Sequence, residues 1–542
     1  ILKWAEHTLH HDFDYLGSGL THLDPIPWHS DFKHGYTWPK GAFYRDINVD
    51  IATDKYDGKT PWELSRCHHL LWLGSAYRIR KDEKYAEEIV TEIRDWCDEN
   101  PFMYSVNWGC AMDVAIRAVN WMYAIWLIQD SESFTTEFET FVSRSLYQHG
   151  FFICHNLEKS IPYSNNHYTS DLVGLLYLGA LFDKNKWYHY AKKELQEDMR
   201  LQILPSGVQY ERSISYHRLD TEMLLAAYYL LKRENESVPD DIVESLQKML
   251  AFVAAYTKPN GYAPLIEDND DGRLLPFVRR DFREHGYLTD TSSFENRILS
   301  CGTETLIFNK AYSFSYADAG HWIYRRGAAF LFVTNGGQSR KPTAAKIAVT
   351  HTHNDLLSFE LALGKDDIVM DPGTYHYLFT EPEGRNEFRS TRKHNTVMVD
   401  DEEQHGLSGK RLFLIEKNAV IDSPNSYHTG SGLNHRRTFV LEENELKISD
   451  VVQKRGSAHL LRAFFHFSPA VQVGPDGDAI QFESENYRGS IGFNNDIEKK
   501  VIIVDDTVSP SYGVLESSKT VIMETSFSDE INIKTFIKWE EK

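Results

Sequence analysis

The hydrophobic period of this 542-residue chain changes near residue 310, and no other feature restricts the fold as strongly. From about 60 to 260 the apolar residues recur at helical spacing. Thr60, Pro61 and Glu63 read as an N-cap, a first helical residue and the closing partner of a capping box, with Leu64, Leu71 and Ala76 following at roughly helical intervals. Tyr85, Ile89, Ile93 and Trp96 mark a second helix. Further helices are expected over 111–128, 137–154, 167–182, 186–202, 218–233 and 240–256. Short polar links such as Asp98-Glu99-Asn100-Pro101 and Asp183-Lys184-Asn185 make successive helices antiparallel neighbours. Such an array is a bundle, a solenoid or a closed ring of hairpins. The absence of a fixed repeat argues against a regular solenoid.

From about 312 the apolar runs are short and β-like: 322–324, 328–333, 357–361 and 396–399. Turn residues separate them, as in Asn335-Gly336-Gly337, Asp371-Pro372-Gly373, Gly406-Leu407-Ser408-Gly409 and Gly474-Pro475-Asp476-Gly477. Many short strands at close spacing predict a large antiparallel sandwich. The expected layout is therefore α then β, with a helical domain over 1–308 and a sandwich over 309–542.

Composition narrows the partners. A net charge of −21 argues against a general nucleic-acid binder and against a peripheral protein held by anionic lipid. It does not exclude an anionic substrate, because a cleft sets its own local field. Two segments offer cations for one: Arg385, Arg389, Arg392 and Lys393, and Arg273, Arg279, Arg280 and Arg283. Aromatic residues reach 13%, which suits packed helices or a ring-lined sugar cleft. The five cysteines, at 67, 97, 110, 154 and 301, are scattered and predict neither a disulfide framework nor a cysteine zinc site. Cys67 and Cys110 are expected to be buried thiols. No apolar run is long enough for a transmembrane helix. A start at Ile1-Leu2-Lys3 without Met suggests a mature or trimmed form.

Chemistry-bearing residues collect in three places. Three histidines and two aspartates fall within 44 residues, in His351-Thr352-His353-Asn354-Asp355, Asp371-Pro372-Gly373-Thr374 and His394-Asn395-Thr396. Imidazoles with a carboxylate suit a borderline metal. On a strand, His351 and His353 would share one face. Upstream, Ser164-Asn165-Asn166-His167-Tyr168 opens one helix, and 207–217, with Tyr210, Glu211, Tyr216 and His217, opens another. Each segment alone reads more readily as a capped polar loop. Asp268, Asp270 and Asp271 do not form an opposed glycosidase pair, since they lie in one loop.

Taken together and in order, the Asn-Asn-His, Glu-x-Ser-x-x-Tyr-His, His-x-His-x-Asp, Asp-Pro-Gly-Thr and His-Asn-Thr-Val segments resemble the heparinase II/III group of polysaccharide lyases. The resemblance runs from about Glu63 to at least Gln404, and Asn107-Trp108-Gly109 with 113–118 matches a further motif of that group. It implies an incomplete (α/α) toroid followed by an antiparallel β-sandwich, with the cleft between them. The implied reaction is β-elimination on a uronic acid. Asn166 and His167 would neutralise the carboxylate, Tyr216 would be the acid, the base or both, and His351 a second base; Tyr210 competes with Tyr216. His353, Asp371 and His394 match the metal ligands, which implies one divalent ion, zinc by preference, in a structural role. Trp108, Tyr377 and Arg389 would contact substrate. The implied partner is an anionic uronate polysaccharide of the heparan sulfate or heparosan type, met in the periplasm or outside the cell, with no nucleic acid and no membrane insertion. Alginate or oligoalginate is the alternative substrate, and a carbohydrate-binding protein without catalysis is the alternative of another class.

Overall fold

The computed structural model describes residues 1–49, 55–159, 165–308, 315–336, 351–378, 384–407, 415–416, 419–477 and 479–542. Residue 309, Ser164 and the turn residues Gly337, Ser408 and Gly409 lie outside them. Helix α1 (Leu2–Leu9) and two small hairpins, β1 (Asp12–Phe13) with β2 (Thr21–His22) and β3 (Ser30–Asp31) with β4 (Tyr36–Thr37), precede the helical array. The array runs through α2 (Lys59–Ser65), α3 (His69–Arg80), α4 (Glu83–Glu99), α5 (Ala111–Leu127), α6 (Thr136–His155), α7 (Asn166–Leu181), α8 (Lys186–Gln202), α9 (Ile214–Arg233), α10 (Asp240–Tyr256) and α11 (Phe294–Leu299).

The helices form two concentric layers. Helices α3, α5, α7 and α9 pack on one another in succession, and α4, α6, α8 and α10 back them from outside. Composition sorts them. Helices α5, α7 and α9 bury most of their residues; α5 and α7 are largely apolar all round, while α9 also buries the polar Ser215, His217, Arg218, Asp220, Thr221 and Glu222. Helix α4 buries a single stripe, Tyr85, Ala86, Ile89, Glu92, Ile93 and Trp96, and turns most of its other charges outward. Glycines let the layers approach closely. A Cβ on Gly179 of α7 would lie 2.4 Å from the backbone nitrogen of Tyr188 on α8.

One helical expectation needs correction. The run from Thr60 to Ala76 is two helices, not one, because Cys67 takes a left-handed φ of 57° between α2 and α3. Thr60 is not the cap either: it lies inside α2, whose N-cap position is Gly58. Glu63 is buried and pairs with Arg66 instead of closing a capping box. Cys67 and Cys110 are buried free thiols.

Among the described residues the strands form two main antiparallel sheets. One has five strands in sequential order: β5 (Ser315–Tyr316), β6 (His321–Arg326), β7 (Ala329–Thr334), β8 (Ser358–Leu363) and β9 (Asp366–Val369). The other has ten and is built around two long strands, Glu445–His466 and Glu516–Glu541, which pair along most of their length. Every residue of β7 and β8 is buried. On β7, Phe330 and Phe332 join the helical core while Ala329, Leu331 and Val333 join the sandwich core. The five-stranded sheet is thus a middle layer between helices and the second sheet. Its continuous apolar runs follow from burial on both faces.

Candidate active site

Helical and β regions meet at the acidic loop 267–271. Buried Leu265 and Ile266 precede it and buried Leu274 and Leu275 follow. Glu267 and Asp271 hold positive φ of 66° and 59°, a conformation that costs non-glycine residues energy and recurs at functional sites. Asp268, fully buried, accepts from His351 Nδ1 at 2.9 Å, His353 Nε2 at 2.9 Å and both terminal nitrogens of Arg385 at 3.0 and 2.5 Å. Burial opposes its charge, but Arg385 and the two imidazoles hold the carboxyl well below the usual range. Asp270 accepts from Lys59 Nζ and from the Tyr216 hydroxyl, each at 2.8 Å. Against the penalty of burial, Lys59 keeps Asp270 ionised.

Tyr216 sits in the first turn of α9, whose N-cap Ser213 accepts from its backbone N–H. Its hydroxyl is 2.9 Å from that of Tyr377, and its ring stacks on His351 at 4.0 Å between centroids. Burial and the adjacent Asp270 carboxylate push the phenol well above the usual tyrosine range, so in this arrangement Tyr216 holds its proton. His351 Nε2 faces Glu211 Oε1 at 3.7 Å.

Glu211 links this group to α7. Its Oε2 accepts from Asn166 Nδ2 at 3.1 Å. Asn166 and His167 are the first two residues of α7, where unsatisfied N–H groups and the helix dipole favour an anion. An amide has two N–H bonds, so Asn166 keeps a second donor. His167 Nδ1 lies 3.2 Å from Glu158. Burial disfavours its charge, but Glu158 more than offsets that and raises it above the ordinary imidazole range. The group is nearly closed to solvent, with Asn166 at 0%, Tyr216 at 3% and His351 at 7% exposure, while the His167 side chain is 38% exposed.

His351 and His353 do not share a strand face. They lie in the irregular segment before β8, and Asp268, a residue of the helical half, brings them together. His394 Nδ1 is 2.8 Å from Asp371 Oδ2. This leaves His394 Nε2 and His353 Nδ1 buried without a hydrogen-bond partner among the described residues, on rings 5.3 Å apart. Two buried imidazole lone pairs fit a borderline metal. Asp371 stands behind His394, its other oxygen accepting from Gly373 N–H at 3.0 Å. Among the described residues, the donors of His353, Asp371 and His394 do not all lie within 4.8 Å of one another. Asp355 contributes a further buried oxygen without a hydrogen-bond partner among the described residues, and burial raises its pKa to about 6.

Other candidates separate. Tyr377 joins the group, with Arg385 4.3 Å over its ring. Trp108 does not: it is 1% exposed and packs on Trp96, Phe102, His149 and Phe152, so its ring is part of the helical core. Arg389 is fully buried, with Nε 3.4 Å from the Thr352 carbonyl. The arginine-rich segments are paired internally: Arg273 with Glu222, Arg279 with Asp14, Arg280 with Glu295, Arg283 with Asp281, Arg392 with Glu387 and Lys393 with Asp506. Asp268, Asp270, Lys59 and Glu158 were not picked out as site residues from sequence. The run Glu267-Asp268-Asn269-Asp270-Asp271 between two apolar pairs was the available signal, since a buried loop that polar must be serving partners.

Comparison with known proteins agrees with this architecture. Residues 23–285 match the model of the heparinase II/III N-terminus, and 309–539 match that of the heparinase II/III-like C-terminal region. A heparin-sulfate lyase of Bacteroides stercoris is 24% identical over 499 residues, 85% of this chain and 72% of that protein. One of Pedobacter heparinus is 24% identical over 393 residues, 68% of this chain and 57% of that one. A solved heparinase III structure superposes with a TM-score of 0.69 at 17% identity, covering 98% of this chain and 84% of its own, and supports the fold of a toroid followed by a β-sandwich. With both of its regions matched, the chain belongs to the heparinase II/III family of polysaccharide lyases.

Proposed function

We propose that this protein cleaves a uronate-containing glycosaminoglycan by β-elimination, with Tyr216 as the acid and His351 as the base. The observation that carries this is the stacked Tyr216–His351 pair, with one carboxylate behind each: Asp270 on the phenol and Asp268 on the imidazole. A phenol that keeps its proton is suited to protonate the O4 leaving group. An imidazole whose Nδ1 is held by Asp268 presents Nε2 for the C5 proton. Asn166 and His167, at the α7 N-terminus, would neutralise the uronate carboxylate as charge builds on it, where a hydrogen bond lowers the barrier most. A positioned acid or base contributes about 10²–10⁴-fold.

Within that class, an unsulfated polymer of the heparosan type is the favoured substrate. Most cations of the two arginine-rich segments are already paired with internal carboxylates, which leaves them poorly placed to cradle sulfates. His353 and His394, with Asp371, would hold zinc, which supplies a fixed cross-link between the segments beside His351. The test is ultraviolet absorbance of unsaturated uronate over heparosan, heparan sulfate and alginate. Product from heparosan is expected. Product from alginate alone would replace the substrate, and no product from any uronate polymer would leave a carbohydrate-binding protein.

A further inference from the structure

The N-terminal region carries a second cluster of metal-ligating side chains, on elements that hold none of the candidate active-site residues. Glu88 and Glu92 are four apart on α4 and share one face. His11 reaches that face from the turn after α1, where its backbone is held in the left-handed region at φ 52°. One donor atom from each of His11, Glu88 and Glu92 lies within 4.8 Å of the others.

The surroundings of each ligand are those of a built site. Glu92 is 2% exposed; its Oε2 accepts from His69 Nε2 at 2.6 Å, and His69 Nδ1 is in turn 2.8 Å from the Tyr15 hydroxyl. Its other oxygen, Oε1, is buried with no hydrogen-bond partner among the described residues. A buried carboxylate oxygen left open beside a second carboxylate is costly unless a cation completes it. His11 Nε2 faces Glu88 Oε1 at 2.9 Å, while His11 Nδ1 faces Asp24 Oδ1 at 3.5 Å. Asp24 thus stands near the ring nitrogen that does not face Glu88. Tetrahedral ligands at about 2.0–2.2 Å from an ion stand about 3.3 Å apart, so seating one requires His11 Nε2 and Glu88 Oε1, 2.9 Å apart, to open by a few tenths of an ångström.

We infer that His11, Glu88 and Glu92 form a divalent transition-metal site, with zinc as the ion that best suits one imidazole and two carboxylates, tying the N-terminal turn to α4. Water would complete the coordination at the exposed side. The inference does not rest on the proposed activity, because none of these residues belongs to that group.

The experiment counts zinc on chelator-stripped, reloaded full-length protein by elemental analysis, for wild type, His11→Gln and Glu88→Gln. Each variant is expected to hold one equivalent fewer and to lose part of the zinc-dependent rise in Tm, with its activity on uronate polymers unchanged. His394→Ala reports separately on the ion beside His351. Equal zinc content in wild type and both variants overturns the site, and shows that the cluster holds a proton on His11 instead. A difference seen only at zinc concentrations that the unfolded chain also binds overturns it too. If His11→Gln lowers the metal-free Tm, Glu88→Gln decides by the same count.

Discussion

At the residue scale, the Tyr216 hydroxyl is the atom on which the chemistry turns. Tyr216→Phe removes one oxygen from a buried ring and leaves the stack on His351 available. It is expected to cut turnover by about 10²-fold or more while Tm changes little. Tyr210→Phe, in the turn that precedes α9, is expected to keep most of the activity. The reverse pattern in a side-by-side rate assay would move the acid to Tyr210. Asn166→Ala is expected to lower kcat more than it raises KM, because its contact strengthens as charge develops. An effect on KM alone would mark ground-state binding. Asp268 was set aside at the sequence level because it is one of several carboxylates in one loop. Three-dimensional placement gives it partners from 351, 353 and 385, which no spacing in the chain announces.

At the element scale, two buried arrangements are open to test. In the ten-stranded sheet, Asp450 accepts from Arg437 Nε and His435 Nε2, and all three are buried. Burial would raise the Asp450 pKa, but Arg437 and His435 bring it down from 3.8 to about 2. A carboxyl lowered on folding adds stability that is present above its unfolded pKa and lost as pH falls through the folded one. Asp450→Asn is therefore expected to cost about 3–5 kcal/mol at neutral pH, since it strands a buried cation. The Tm gap to wild type should narrow between about pH 4 and pH 2. A gap independent of pH would mean the pair contributes only packing. Between α7 and α8, Gly179→Ala drives a methyl into the Tyr188 backbone and is expected to destabilise by about 1–3 kcal/mol. A neutral or stabilising result in denaturant unfolding would show that the helices can part at little cost.

At the scale of the whole molecule, the site exists only where two regions close on each other. Tyr512, between the last strands, donates from its hydroxyl to Asp57 and from its backbone N–H to Asp271, both at 2.8 Å. Lys59 of α2 and Tyr377 of the β region converge on the Tyr216–Asp270 pair. If His353, Asp371 and His394 hold an ion, His394→Ala is expected to lose about one equivalent of metal, with Tm and activity falling together. Chelation that abolished activity at constant Tm would assign that ion a chemical role.

What the chain determines by itself is what local spacing encodes. Apolar periodicity placed α5 through α8 and α10 to within a residue or two, because each element must bury its own face. The ordered motifs pointed to the family, and both matched regions agree with it. Tertiary structure decided the rest. It broke the first expected helix at Cys67, put the Trp108 ring in the core, paired the arginine-rich segments internally, and replaced a strand face shared by His351 and His353 with a shared carboxylate. Those outcomes depend on which distant groups meet in a low-dielectric interior, where every buried charge must find a partner, and sequence spacing carries no record of that.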